Sequence, residues 1–161
     1  MDIYVIDTSS LIEMKDKYPR DVSLFKPVWE NVEKLCREGR LIIPVEVLEE
    51  IKKGDDELKR WTKSKRKILI KPNKPQFAKI SEILDKFRFL AKPEKSGPNA
   101  DPWVIALAVE KNDEEQKTLF PNRHIVVTEE SKTKTDKIPA VCRSYDIECI
   151  SLIELFRREG W

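Results

Sequence analysis

Short apolar runs alternate with longer amphipathic stretches along this chain of 161 residues. The runs at residues 3–6, 41–43 and 125–127 are rich in β-branched residues and lack polar alternation. That pattern predicts strands buried on both faces, as in parallel sheets. Residues 147–150, which include Glu148, are predicted to form a fourth strand. A further run at 68–70 predicts either a strand or a buried turn.

The segments between these runs have helical periodicity. Val28, Val32, Leu35 and Cys36 form one apolar stripe, and Gly39 follows as a helix stop. Apolar residues at helical spacing also predict a helix over 77–87, and segments after residues 45, 56, 101, 139 and 152 are expected to be helical. Alternating strands and helices predict an α/β protein with a mostly parallel central sheet covered on both faces, formed by a single domain over 1–161.

Four acidic residues lie where this architecture would bring them together. Asp7 follows the first strand, Glu50 lies on the helix after the second, Asp101 precedes a wholly apolar helix, and Glu130 follows the strand at 125–127. The carboxyl edge of such a sheet is where α/β folds bind ligands. Four carboxylates there would repel one another unless cations compensate them, and Mg²⁺ and Mn²⁺ prefer oxygen ligands. The pattern predicts a divalent-metal site.

Three of these four acids also have a simpler explanation. Asp7 could only cap the following helix, and Asp101 is predicted as an N-cap because Pro102 would take the first helical position. Glu50 has neighbours in Glu46 and Glu49, and acids in the first turns of a helix suit its dipole. Glu46 lies one turn before Glu50 on the same helix face, so it is the substitute for Glu50 as a metal ligand.

Composition excludes several other classes of site. With one histidine and three widely spaced cysteines, no zinc site can be assembled. Four glycines form no phosphate-binding loop. His124 has no catalytic motif around it and is expected at the surface. No apolar segment is long enough to cross a membrane and no signal peptide is recognisable, so a cytoplasmic protein with reduced cysteines is expected.

Charge is unevenly distributed although the net charge is only +2. Residues 1–58 carry a net charge of −5, whereas residues 59–79 hold nine basic residues and no acid. This basic block could be a solvated helix face or a track for a phosphate backbone. Its first part supplies the candidate nucleic-acid-binding residues Lys59, Arg60, Lys63, Lys65, Arg66 and Lys67.

Four segments together resemble the PIN-domain family, which includes VapC-like toxin ribonucleases. They are 5–11 (VIDTSSL), Pro44-x-x-Val47-x-x-Glu50-Ile51, 100–108 (ADPWVIALA) and Val126-Val127-Thr128-x-Glu130. The segment that begins Ile138-Pro139-x-Val141-Cys142 resembles a divergent, less-studied branch more than the typical toxins. The resemblance covers nearly the whole chain.

The resemblance implies a three-layer α/β/α fold and cleavage of single-stranded RNA that depends on Mg²⁺ or Mn²⁺. Asp7, Glu50, Asp101 and Glu130 match the acidic ligands, while Ser9 and Thr128 match the hydroxyl positions that orient them. The fourth acid is a glutamate where family members often have aspartate. A cognate antitoxin and a homodimer are further implied partners.

The residues predict a metal site, and the resemblance implies a metal-dependent endoribonuclease that is the toxin of a toxin–antitoxin pair. A catalytically degenerate module that binds RNA or protein is the alternative. A third interpretation is an enzyme that acts on small phosphate esters, which activity on phosphomonoesters would reveal. Trp61 and Trp103 are expected either to pack in the core or to stack on bases.

Overall fold

The computed structural model describes residues 1–54, 56–93 and 96–161. The central sheet has five parallel strands in the order β3-β2-β1-β4-β5. The strands are β1 (Asp2–Ile6), β2 (Leu41–Pro44), β3 (Leu69–Ile70), β4 (Arg123–Val127) and β5 (Cys149–Ile150). The predicted α/β fold with a parallel sheet is confirmed.

Helices flank this sheet in a three-layer α/β/α arrangement. Eight α-helices occur in the described ranges: α1 (Thr8–Lys17), α2 (Lys26–Glu38), α3 (Val45–Ile51), α4 (Asp56–Ser64), α5 (Lys74–Lys86), α6 (Asp101–Glu115), α7 (Ile138–Ser144) and α8 (Leu152–Glu159). Short 3₁₀ turns cover Ser23–Phe25, Arg66–Ile68 and Arg88–Ala91. The run at 68–70 is thus the end of a turn followed by a two-residue strand.

The strand order creates a switch point between β1 and β4. From β1 the chain builds β2 and β3 on one side, then crosses to add β4 and β5 on the other. Crevices form at the carboxyl ends of strands at such a point, because the connections leave in opposite directions. Ile6 pairs with Val127 in the register of these strands, so Asp7 and Thr128 emerge side by side.

The core explains why the first part of α6, from Pro102 to Val109, is apolar. Residues 104–109 of this helix are buried, and α6 contacts both central strands. The short runs in β1, β2 and β4 are buried on both faces as predicted. No helix within the described ranges is both long and apolar enough to cross a membrane.

The expectation that His124 lies at the surface is wrong. It lies in β4 with 3% of its surface exposed. Asn112 holds it by accepting from its backbone N–H at 2.7 Å and donating to its carbonyl at 3.0 Å. Burial lowers the pKa of the His124 imidazole. It lies toward the start of β4, away from the carboxyl edge, and is a structural residue.

Candidate metal centre

Asp7 is the most buried acid at the carboxyl edge, with 3% of its surface exposed. Its Oδ1 accepts from the Ser10 backbone N–H at 2.8 Å, and its Oδ2 accepts from the Thr128 hydroxyl at 2.6 Å. The Ser9 hydroxyl lies 2.9 Å and 2.7 Å from the two oxygens. Ser9 and Thr128 therefore contact Asp7 from opposite elements and fix its orientation.

Burial raises the pKa of Asp7 to about 6, although the hydrogen bonds from Thr128, Ser10 and Ser9 lower it. A carboxylate in this position carries a desolvation cost that a bound cation would offset. The capping alternative is correct as far as it goes, because Asp7 is the N-cap of α1. Capping alone does not require two further hydroxyl donors on the same carboxylate.

Glu50 links the first strand to the start of α6. The Thr8 hydroxyl donates to Glu50 Oε2, and the Ala100 backbone N–H donates to Oε1 at 3.1 Å. Thr8 follows Asp7 and Ala100 precedes Asp101, so Glu50 lies between the two aspartates in this network. Thr8, Glu50 and Lys53 line a cavity of about 240 Å³ that opens beside it.

Asp101 is not the helix cap that the sequence predicts. Ala100 is the N-cap of α6, with no side-chain hydrogen bond, and Asp101 is the first helical residue. The Asp101 carboxylate instead pairs with the Lys92 ammonium, and its side chain is 13% exposed. Because capping does not occupy it, this acid is available to a cation.

The ammonium of Lys92 places a positive charge of the protein within the acidic site. Burial alone would lower the pKa of its ammonium, but the hydrogen bond to Asp101 and the charges of Asp101, Glu130 and Glu50 raise it. The sequence carries no signal for this residue, because it lies in a polar loop without a motif. Its place follows from the 3₁₀ turn that ends at Ala91.

Glu130 serves a helix with one of its oxygens. Its Oε2 accepts from the backbone N–H of Ile138, the first residue of α7, at 2.7 Å. Its charge nevertheless acts on Lys92, so this acid lies at the edge of the same site. Glu129, beside it, accepts from the Leu152 N–H at the start of α8. Of the four predicted ligands, Glu130 therefore has one oxygen engaged at the start of α7.

The two acids near Glu50, Glu46 and Glu49, differ in burial and in their partners. Glu49 is half exposed and pairs with Lys52 at 2.5 Å, so it faces solvent. Glu46 has a buried carboxylate oxygen, Oε2, without a hydrogen-bond partner, and burial raises its pKa. Buried polar atoms normally have a partner, so an unpartnered carboxylate oxygen indicates a place where a cation or a hydrogen-bond donor could bind. Glu46 thus remains the substitute for Glu50, and Glu49 does not.

The donor set fits a hard divalent cation in its chemistry. It consists of carboxylate oxygens with hydroxyl support, and Mg²⁺ in proteins is often held by one or two carboxylates plus waters. In the described part of the chain, however, no three acidic, histidine or cysteine groups lie close enough to hold one metal ion together. The acids are hydrogen-bonded to Thr8, Ala100 and Lys92 rather than gathered into a closed cage.

Part of the basic block lies at the amino edge of the sheet. Lys63, Lys65 and Lys67 line a cavity of about 620 Å³ together with Arg37 and Cys36. This cavity lies at the amino edge, because α2 ends there before β2 and the 3₁₀ turn at Arg66–Ile68 precedes β3. A five-residue strand spans about 16 Å, so these cations lie well away from the acids.

The remaining candidates of the block lie on or next to α4. Lys59 is half-buried and Arg60 is exposed, while the side chain of Arg66 lies outside the described residues. Lys65 pairs with Glu33 at 3.3 Å. None of the ion pairs formed by described residues includes Lys63 or Lys67. These two lysines are therefore the best placed to meet an anion from solution.

The tryptophans differ in exposure. Trp61 is buried and packs edge to face against Trp29 at 5.6 Å, which leaves it no free ring face for a base. Trp103 is half-buried and packs against Phe77 at 5.3 Å. Of the two expectations, packing in the core holds for Trp61.

Three residues of the site were absent from the predicted set: Thr8, Lys53 and Lys92. Thr8 was detectable, because it belongs to the run of hydroxyl residues after Asp7. Lys53 follows α3, and Gly97, with φ +117°, allows its side chain a close approach. Its position depends on two loops and has no local signature.

The raised pKa of Asp7 predicts a pH-dependent stability for the metal-free protein. The folded-state pKa of about 6 exceeds the ordinary value of 3.8, so the native state binds the proton of the Asp7 carboxyl more tightly than the unfolded state does. Protonation of Asp7 therefore stabilises the fold fully below pH 4, and this stabilisation is lost as pH rises through 6. The difference corresponds to about 3 kcal/mol.

Urea unfolding in EDTA isolates this effect by comparison with Asp7→Asn. The stability of the variant relative to wild type should rise by up to about 3 kcal/mol between pH 4 and pH 7. A difference that stays constant over this range would show that Asp7 titrates normally.

The comparison with curated proteins finds no match. A family model described as "Domain of unknown function (DUF4411)" matches residues 4–161. The match takes in all the described helices and strands except the first two residues of β1, and it includes all four acids of the candidate centre. The chain therefore belongs to the DUF4411 family.

Proposed function

We propose that this protein is a metal-dependent ribonuclease that hydrolyses phosphodiester bonds in single-stranded RNA with Mg²⁺ or Mn²⁺. The observation that carries the proposal is the linked set of acids at the switch point of the sheet. Asp7, Glu50 and Asp101 are connected through Thr8 and Ala100, and Asp101 already pairs with a cation.

Each residue has a distinct part in the proposed reaction. Asp7 is held rigidly by Ser9 and Thr128 and supplies a fixed oxygen. Glu50 and Asp101 supply oxygens from α3 and α6, with Glu130 at the rim. A divalent ion bound to them would activate a water and offset charge on the phosphate and the leaving oxygen. Carboxylates held this way have little orientational freedom to lose on binding the ion.

Substrate binding is proposed to use the length of α4. This helix leads from the turn after α3, near the site, toward the amino-edge cavity with Lys63 and Lys67. A single strand of several nucleotides could lie along this helix, where basic side chains would neutralise its phosphates. Binding through phosphates is sequence-independent and salt-dependent. The basic block would thus position RNA rather than take part in the chemistry.

The test is cleavage of a dye-labelled single-stranded RNA with Mn²⁺ or Mg²⁺. We expect cleavage with either ion, none in EDTA, and no turnover of p-nitrophenyl phosphate. A small phosphomonoester that is hydrolysed faster than RNA would support the phosphatase interpretation instead. RNA binding without cleavage at any metal concentration would contradict the proposal.

We predict that removing two cations at the amino edge weakens RNA binding. The double variant Lys63→Gln/Lys67→Gln should bind single-stranded RNA about tenfold more weakly, and its slope of log affinity against log salt should be smaller by about 1.4. Fluorescence anisotropy at several salt concentrations measures both quantities.

A matched control removes two charges elsewhere. Lys17 and Lys111 lie outside the basic block, and each forms an exposed ion pair, with Glu13 and Glu114. Lys17→Gln/Lys111→Gln should leave the affinity and the salt slope nearly unchanged. Equal losses in both double variants would mean that only net charge matters and that the cavity has no special part.

One observation favours a second candidate, a module that binds RNA or protein without cleavage. The described acids form no closed metal cage, and Lys92 neutralises Asp101. In that case the carboxylates would stabilise the fold through their hydrogen bonds alone. Failure to bind Mn²⁺ at millimolar concentration would support this candidate. A toxin role would further require growth arrest on expression that Asp7→Asn relieves.

A further inference from the structure

Lys92 is held toward the acids by its backbone as well as by its charge. It ends the 3₁₀ turn at Arg88–Ala91 in a left-handed conformation, with φ +43° and ψ +60°. This conformation costs an L-residue about 1 kcal/mol or more. Leu90 anchors the turn in the core with 1% exposure, and the Asn99 side chain donates to its carbonyl. The loop therefore returns to the start of α6.

The environment of the ammonium is strongly anionic. It pairs with Asp101, and both side chains are largely shielded, with exposures of 27% and 13%. Glu50 and Glu130 lie close enough for their charges to act on it. Shielded carboxylates are costly without a compensating charge. In the described part of the chain, the ammonium of Lys92 provides that charge for Asp101.

We propose that Lys92 is an internal counter-cation that competes with the divalent ion for Asp101 and its neighbours. The metal-free protein is stabilised by the ammonium, and an incoming ion has to displace it. This inference rests on the proposed function, since it assumes that the acids bind a metal. It also accounts for the absence of a closed cage among the described acids.

Competition of this kind sets the metal affinity of the site. Removing the ammonium leaves Asp101 without its partner and restores the full negative potential of the acids. A unit charge at a few ångströms changes the affinity for a divalent ion by tenfold or more. The wild-type protein should therefore bind metal weakly, and Lys92 should stabilise the acids when no metal is bound.

The test compares wild type with Lys92→Gln and a matched control. Lys132→Gln removes another ammonium, one that pairs with Glu154 and none of the four acids. Mn²⁺ affinity is measured from the electron paramagnetic resonance signal of free Mn²⁺. Thermal unfolding is measured in EDTA and in saturating Mn²⁺.

We expect Lys92→Gln to bind Mn²⁺ at least about tenfold more tightly. It should melt below wild type in EDTA and regain the difference in Mn²⁺, while Lys132→Gln should match wild type in affinity. Binding by the variant alone would support the competition but would overturn the proposed metal-dependent activity of the wild type. Metal binding by wild type that Lys92→Gln leaves unchanged or weakens overturns this inference and leaves the proposed function standing.

A merely structural role predicts a different result. Lys92→Gln would then lose thermal stability equally with and without Mn²⁺, and its affinity would not rise. Absence of Mn²⁺ binding by both wild type and Lys92→Gln overturns the proposed function together with the inference. Lys92→Arg, which retains the charge, should keep the affinity near that of wild type.

Discussion

Asp7→Asn is expected to lose RNA cleavage by at least about 100-fold while remaining folded. Asparagine keeps an oxygen that can accept from the Ser10 N–H, so the cap of α1 survives. The negative charge that would hold the metal is lost. Residues that only support a metal ligand commonly account for 10- to 100-fold in activity, and a direct ligand should account for at least as much. Cleavage of labelled RNA in Mn²⁺ measures the loss.

The stability of this variant separates a functional acid from a structural one. Because the charge of Asp7 is buried and its pKa is raised, Asp7→Asn should be more stable than wild type at pH 7 in EDTA. A cap that existed only for the fold would give a neutral or destabilising change. Wild-type cleavage by a folded Asp7→Asn would contradict the mechanism.

Glu50→Gln is expected to reduce cleavage by about 10- to 100-fold, the second-largest effect. Glu50 bridges the elements that carry the two aspartates, since it accepts from Thr8 and from the Ala100 N–H. Glutamine preserves the shape and one accepting oxygen but not the charge. The rate of RNA cleavage should fall, and the Mn²⁺ concentration needed for half-maximal activity should rise.

Glu46→Gln is the matched comparison on the same helix face. Its carboxylate has an unpartnered buried oxygen but no contact to Thr8 or Ala100, so we expect a smaller loss than for Glu50→Gln. Its stability should rise slightly, because burial raises the pKa of Glu46. A larger loss at Glu46 than at Glu50 would exchange the two assignments.

Much of the fold could be predicted because it follows from local patterns. The apolar runs in β1, β2 and β4 are short and unbroken, which leaves little choice but buried parallel strands. The errors occurred where a tertiary partner decides. Asn112 makes burial of His124 tolerable through two backbone hydrogen bonds, and no nearby residue announces that partner.

The site could be predicted only in part. Asp7 and Thr128 follow strands that pair in register, so their meeting is a consequence of topology. Asp101 was expected at the N-cap, but α6 begins at Asp101, one residue earlier than predicted, and the Asp101 carboxylate pairs with Lys92. Lys92 belongs to a loop whose course depends on burial of Leu90, which a linear pattern does not encode.

The basic block illustrates the same limit. Its charge is plain in the sequence, yet its position depends on the direction in which α4 crosses the sheet. The helix takes Lys63 to the amino edge, opposite the acids. A track from the site along this helix is still possible for a single strand, and the salt dependence of Lys63→Gln/Lys67→Gln tests it.

Binding of Mn²⁺ measured by isothermal titration calorimetry tests the central claim most directly. Wild-type protein should bind the ion with a saturable heat at micromolar to millimolar concentration, and Asp101→Asn should bind at least about tenfold more weakly. Asp101 makes no helix-capping bond, so its loss leaves the start of α6 intact. No saturable heat for wild type up to millimolar Mn²⁺, or equal binding by Asp101→Asn, would contradict the account.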